Sequence, residues 1–132
     1  MSSIFTKIIK GEIPSYKIAE TDQYLAFLDV SPLTSGHTLV IPKQEIAYIF
    51  NMEDQLLAGL MLFAKQVAKA IEKAIPCTRV GVAVIGLEVA HAHIHLVPIN
   101  NVGDINFSKP KLQPTNVELE NTMEKIKKNI LM

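Results

Sequence analysis

The chain has 132 residues, 48% hydrophobic and 20% charged, with Lys plus Arg equal to Asp plus Glu at 13 each. This is the composition of a globular protein able to bury its own core, and it leaves no net field to draw the chain to nucleic acid or a membrane surface. One cysteine, Cys77, excludes an internal disulfide framework and a multi-cysteine zinc cluster.

Taken in order, Ile4, Phe5, Ile8 and Ile9 recur at near-helical spacing and stop at Gly11 and Pro14, which predicts a short N-terminal helix. The lysines scattered through this start do not read as a secretory signal, and no apolar run is long enough to span a bilayer. A cytoplasmic protein is the expectation. Tyr16 to Ala19 and Tyr24 to Val30 read as strands joined by Glu20-Thr21-Asp22-Gln23, a hairpin. Asp29 near the end of the second run is either a turn former or an acceptor for a ligand hydroxyl.

Pro32, Ser35 and Gly36 mark a loop, and His37 to Ile41 a third strand that Pro42 terminates. From Asp54 to Ile75 the period becomes 3.6: Leu57, Leu60, Met61, Ala64, Val67, Ala68, Ile71 and Ile75 share one side, core or subunit interface. Asn51 is the expected N-cap of this long helix and Pro76 its stop. Arg79 to Ile85 reads as a fourth strand, and Gly86-Leu87-Glu88-Val89 turns the chain into a fifth, His91 to Val97, ending at Pro98.

Residues 100–114 are polar and read as a loop. Thr115 with Glu118 forms a capping-box pattern opening a C-terminal helix, 115–131, with Leu119, Met123, Ile126 and Ile130 on one side. The expectation is one α+β domain over 1–132: about five mainly antiparallel strands, one face covered by the long helix.

Three of the four histidines fall in His91-Ala92-His93-Ile94-His95-Leu96-Val97. Strand alternation sets His91, His93 and His95 on one face and Ala92, Ile94 and Leu96 on the other. Buried imidazoles need partners, so such a row is costly in an ordinary core and points to chemistry near neutral pH. His37, at a Gly-to-strand junction, is a candidate for the same site. A metal is one reading, although same-face residues about 6.6–7 Å apart strain three ligands on one ion. Covalent catalysis is the other: one imidazole attacks phosphorus while its neighbours donate hydrogen bonds to the developing charge.

HAHIHLV resembles the HxHxHxx pattern of the histidine triad (HIT) superfamily. SGHTLVIP at 35 to 42, IFTKIIKGEIPS and YLAFLDVSP resemble the family in the same order, covering residues 3 to about 99. The resemblance implies a HIT-like fold and a nucleotide-binding hydrolase or transferase acting on the α-phosphate of an AMP-type substrate, normally a homodimer. It implies neither cofactor nor catalytic metal.

By position, His93 resembles the nucleophile that forms a nucleotidyl-histidine intermediate and His95 the hydrogen-bond donor to phosphate or leaving group. His91 and His37 resemble the orienting partners, and Asp29 the acceptor from the ribose hydroxyls. Ile4, Phe5, Ile8, Phe27, Leu28, Val30 and Leu39 match the apolar base and sugar pocket.

Two departures stand out. Where the family commonly has Gln followed by a phosphate-binding Ser or Thr, this chain has Leu87 and Glu88, and a carboxylate there repels phosphate unless it points away. Where some relatives bind zinc through two N-terminal cysteines and a later histidine, it has Ser3, Thr6 and Glu45, so that site is not expected. The rival readings are a nucleotide-binding adaptor without useful catalysis, and a metal-dependent hydrolase.

Overall fold

Every residue of β2 (Tyr24–Leu28) and β3 (Thr38–Pro42) is buried, so the centre of the sheet is covered on both faces in the computed structural model, which describes residues 2–131. Side-chain alternation splits these strands between two clusters. Ala26, Leu28 and Val40 face the long helix α2 (Asp54–Ala74), whereas Leu25, Phe27, Leu39 and Ile41 face the short helix α1 (Ile4–Ile9). The histidines lie on the α1 side.

Five strands form one antiparallel sheet in the order β1-β2-β3-β5-β4, with β1 spanning Lys17–Glu20, β4 Arg79–Ala83 and β5 Ile94–Ile99. With α3 (Asn116–Lys127) this is the α+β arrangement expected. The hairpin through residues 20–23 is present, held by the Thr21 hydroxyl accepting from the Tyr24 N–H at 3.1 Å. None of the described helices is long and apolar enough to cross a membrane.

In α2 the buried stripe is Leu60, Phe63, Ala64, Val67, Ala70 and Ile71. Each fully buried Leu, Val, Ile or Phe contributes about 1.5–3 kcal/mol. Met61, expected in the stripe, is 45% exposed. Phe63 takes the place because its ring stacks on Tyr24 at 5.5 Å, and Gly59 leaves room for that tyrosine, whose hydroxyl would lie 2.1 Å from a Cβ there. Asn51 is not the N-cap. Residues Ile49–Asn51 form a 3-10 turn that buries Ile49, so the cap residue is Glu53, two residues later, and the helix begins at Asp54 as expected.

The strand expected over His91 to Val97 begins only at Ile94 and runs through Pro98 to Ile99. The β3–β5 register runs from Thr38↔Leu96 to Val40↔Ile94 and stops there, two residues before Pro42. Proline has no N–H to donate, so the ladder stops short. The Ala92 N–H instead reaches the Ile46 carbonyl at 2.7 Å. Alternation survives the break: Ala92, Ile94 and Leu96 all pack in the α2-side cluster. β4 likewise ends at Ala83, not Ile85, leaving Val84 and Ile85 exposed before Gly86.

In α3 the Thr115 hydroxyl accepts from the Glu118 N–H and the Glu118 carboxylate from the Thr115 N–H, the expected capping box. Leu119 and Ile126 are buried against α2-side residues, with Met123 and Ile130 beside them. The stretch before it is not featureless, since Val102–Ile105 forms a 3-10 turn and the Leu112 N–H donates to the Pro32 carbonyl at 2.9 Å. That last bond draws segment 106–112 across the loop carrying Asp29 and His37.

Candidate active site

Four buried histidines converge on the α1 side, with His37 and His91 at most 1% exposed and His93 and His95 at 7% and 8%. Gly36, at φ 94, makes the turn that delivers His37 into β3, and a Cβ there would press on Ile75 and Pro98. His95 sits opposite Leu39 on β5. His91 and His93 occupy the extended lead-in, their rings edge-on to Phe5 of α1 at centroid distances of 5.8 and 5.0 Å. α1 is thereby the clamp on the triad.

The hydrogen bonds assign the protons. A carbonyl can only accept, so the contact between His93 Nδ1 and the His91 carbonyl at 2.8 Å places the proton on Nδ1. His93 Nε2 then carries a lone pair when the ring is neutral, and it has no hydrogen-bond partner among the described residues. His37 Nδ1 accepts from the Leu33 N–H at 3.0 Å, so His37 Nε2 donates to His95 Nδ1 at 3.0 Å. His95 therefore presents Nε2–H. Across the 4.8 Å between the His93 and His95 rings, an unprotonated nitrogen stands beside an N–H donor.

Burial, then the neighbouring imidazole charges, lower the pKa of His37 to about 3 and of His95 to about 4. Both rings are thus neutral near pH 7, as the proton chain requires. Asp29 accepts from the Ser31 N–H at 2.9 Å and has a carboxylate oxygen 3.7 Å from His37 Nε2; burial raises its pKa. His91 is pinned by Nε2–H donating to the Pro42 carbonyl at 2.8 Å, and burial lowers its pKa.

Ser3, Thr6 and Glu45 gather around the other nitrogen of His91. The Ser3 hydroxyl donates to His91 Nδ1 at 2.8 Å, and Glu45 accepts from the Ser3 N–H at 2.7 Å and the Thr6 hydroxyl at 2.5 Å. Those two donors pull the Glu45 carboxyl down to about 2. Two hydroxyls and one carboxylate beside an imidazole already hydrogen-bonded are a poor donor set for structural zinc, which takes thiolate and imidazole. The network ties α1 to His91 by hydrogen bonds instead.

One atom each from Asp29, His37 and His95 lie within 4.8 Å of one another, close enough for a shared cation. His37 Nε2 and His95 Nδ1 are hydrogen-bonded to each other, so an ion held by those two atoms would have to break the chain that sets His95 Nε2–H.

A cavity of about 460 Å³ opens over His93 and His95, walled by Ile4, Phe5 and Leu39 and rimmed by Asp29. The other apolar residues expected around a ligand do not line this cavity, although Leu28 lines a neighbouring one of about 490 Å³ with Asp29 and His37. Ile8 and Phe27 are buried in the layer beneath Phe5, which contacts Phe27 at 5.5 Å. Leu28 points to the α2 face by strand alternation, and Val30, past the end of β2, is 55% exposed. Glu88 does not point away: it lines the cavity, and its charge contributes to raising the Asp29 pKa.

Sequence reasoning missed the far wall. Phe107, Ser108 and Lys111 line the same cavity, and the Phe107 ring meets His95 at 4.6 Å and His37 at 6.2 Å. The one local signal was a lone aromatic in a polar stretch.

The family model described as HIT domain matches residues 10–102. An adenosine 5′-monophosphoramidase of Schizosaccharomyces pombe is 40% identical over 102 residues, 76% of this chain and 77% of that protein. A HIT-like protein of Bartonella henselae superposes with a TM-score of 0.84 at 28% identity, covering 97% of this chain and 96% of that one. A zinc-bound histidine triad family protein of Mycobacterium smegmatis does so at 0.84 and 27%, covering 98% and 94%.

Proposed function

The chain belongs to the HIT domain family, and from that premise we propose that it is a nucleotide hydrolase which transfers a nucleotidyl group to His93 and then to water. The observation that carries this reading is the His93 Nδ1–H bond to the His91 carbonyl, which directs Nε2 and its lone pair toward the cavity. The 40% identical monophosphoramidase supports a substrate of the adenosine phosphoramidate type, and a dinucleoside polyphosphate presents the same α-phosphate to His93.

In the first step His93 Nε2 attacks the α-phosphorus. A nitrogen–phosphorus bond forms and the bond to the leaving group breaks, its electron pair departing with that group; an amine takes its proton from water. His95 Nε2–H donates to the phosphoryl oxygen, with His37 holding it in that tautomer. Asp29 accepts from the ribose hydroxyls, and Ile4, Phe5 and Leu39 hold base and sugar. In the second step water attacks phosphorus, the bond to His93 breaks with its pair returning to Nε2, and the nucleoside monophosphate leaves after a proton passes to solvent.

The experiment is AMP release from adenosine 5′-phosphoramidate and from diadenosine tetraphosphate, with and without chelator. Release of AMP unaffected by the chelator is expected. AMP binding without release from either would overturn hydrolysis in favour of the adaptor reading, which Glu88 in the cavity motivates. Activity lost to the chelator and restored by one metal would favour the metal-dependent reading, which the Asp29, His37 and His95 cluster motivates.

We propose further that the protein is a single-domain homodimer. β4 is an edge strand followed by exposed Val84 and Ile85, and Met61 and Leu62 on α2 are exposed as well. Open edges of this kind favour pairing with another chain. A monomeric mass in solution removes the dimer.

A further inference from the structure

Segment 106–112 lies beyond the matched family residues and places a cation at the cavity. Lys111 Nζ donates to the carbonyls of Phe107 at 2.7 Å and Lys109 at 3.1 Å. An ammonium has three protons, so these two bonds orient the head group and leave one donor unassigned. Lys111 forms no ion pair with a carboxylate among the described residues. Its charge nonetheless reaches the site, since it acts on both Asp29 and His37.

The position of this cation relative to the reacting groups is informative. Crossing from His93 over the His95 ring, one meets Phe107, the residue whose carbonyl holds Lys111. Displacement at phosphorus is roughly in line, so the leaving group departs away from His93. Lys111 lines the cavity that His93 faces, into which such a group would depart. Glu88 lines the same cavity and disfavours anions there, and Lys111 supplies the opposing charge.

We propose that Lys111, which lines the cavity together with Ser108, binds the charged group attached to the α-phosphate and so selects nucleotidyl substrates whose leaving group is a phosphate chain over those that release an uncharged amine. This rests on the reading that the α-phosphate sits at His93. Ammonia offers no charge for Lys111 to meet, whereas a departing polyphosphate gains negative charge as its bond breaks.

The test is calorimetric affinity for AMP, which has nothing beyond the α-phosphate, and for ATP, which has two further phosphates, both in chelator. Wild type and Lys111→Gln are compared, with Lys109→Gln as a neighbouring charge control. The expected result is that the ratio of ATP to AMP affinity falls about fivefold to tenfold in Lys111→Gln, the scale of one charge-assisted contact, and holds in Lys109→Gln. An unchanged ratio, or an equal loss for both nucleotides, overturns the proposal while leaving the His93 reading intact. If neither nucleotide binds wild type, both fall. A Lys111-dependent ratio in a protein whose turnover survives His93→Ala sinks the covalent reading and keeps the assignment of Lys111.

Discussion

His93→Ala should lower kcat for every nucleotidyl substrate by at least about 10³-fold, the scale seen when a covalent nucleophile is deleted. AMP affinity should change little by comparison, because Asp29, Phe5 and Leu39 still line the cavity. His93 lies at the cavity and meets Phe5, the His95 ring and the His91 carbonyl, and the sheet and α2-side core do not include it, so the variant should remain folded by circular dichroism. Steady-state AMP release and titration with AMP read the two quantities separately. Retained turnover would place the nucleophile elsewhere, and a parallel loss of AMP binding would make His93 a binding group instead.

Acidification from pH 7 to 5 should destabilise the protein steeply. His37 and His95 titrate near 3 and 4 in the folded chain, against about 6.5 when unfolded. Their folded values are depressed bases, so below about pH 6.5 the unfolded chain binds protons that the native state refuses. The stability is therefore complete above that pH and is lost as pH falls toward the folded values. Each histidine contributes up to about 1.4 kcal/mol per pH unit in that window, roughly 2–3 kcal/mol per unit for the pair. His91, also lowered, adds in the same direction, whereas Asp29, raised, opposes it only near its own carboxylate range. The urea midpoint should drop between pH 7 and 5, and drop less in His37→Gln. A midpoint flat across that range would mean that these rings are protonated in the folded protein.

The strands, both long helices and the capping box of α3 were legible because each rests on a local period or a fixed local spacing. The triad was legible for the same reason: alternation sends His91, His93 and His95 one way even where the ladder fails, since pleating does not depend on a hydrogen-bonded partner. What failed was contingent on distant partners. The start of β5 depends on the Ala92 N–H turning to the Ile46 carbonyl, and the stripe of α2 on Tyr24 offering a face to Phe63. The start of α2 at Asp54 was read correctly, but its cap is Glu53 and not Asn51 because Asn51 is taken up in the 3-10 turn that buries Ile49.

The site followed the same division. That four histidines meet could be read from HAHIHLV and the Gly36–His37 junction. Which nitrogen carries each proton could not, since it depends on the Leu33 N–H and the His91 carbonyl in space. Of the apolar residues expected around a ligand, Ile4, Phe5 and Leu39 line the cavity over His93, whereas Leu28 lines a neighbouring one with Asp29 and His37, and Ile8 and Phe27 pack in the same cluster as Phe5. Phe107 and Lys111 left no periodic trace in a polar loop. The bond from the Leu112 N–H to the Pro32 carbonyl and the packing of Phe107 on His95 and His37 place them over the histidines.

The covalent step is tested most directly by intact-protein mass spectrometry after brief mixing with adenosine 5′-phosphoramidate and acid-free quenching. The account predicts a mass increase of one adenylyl group, mapped to His93, that decays as AMP appears and is absent from His93→Ala. AMP released at full rate with no adduct at any mixing time, or an adduct that persists in His93→Ala, would contradict it.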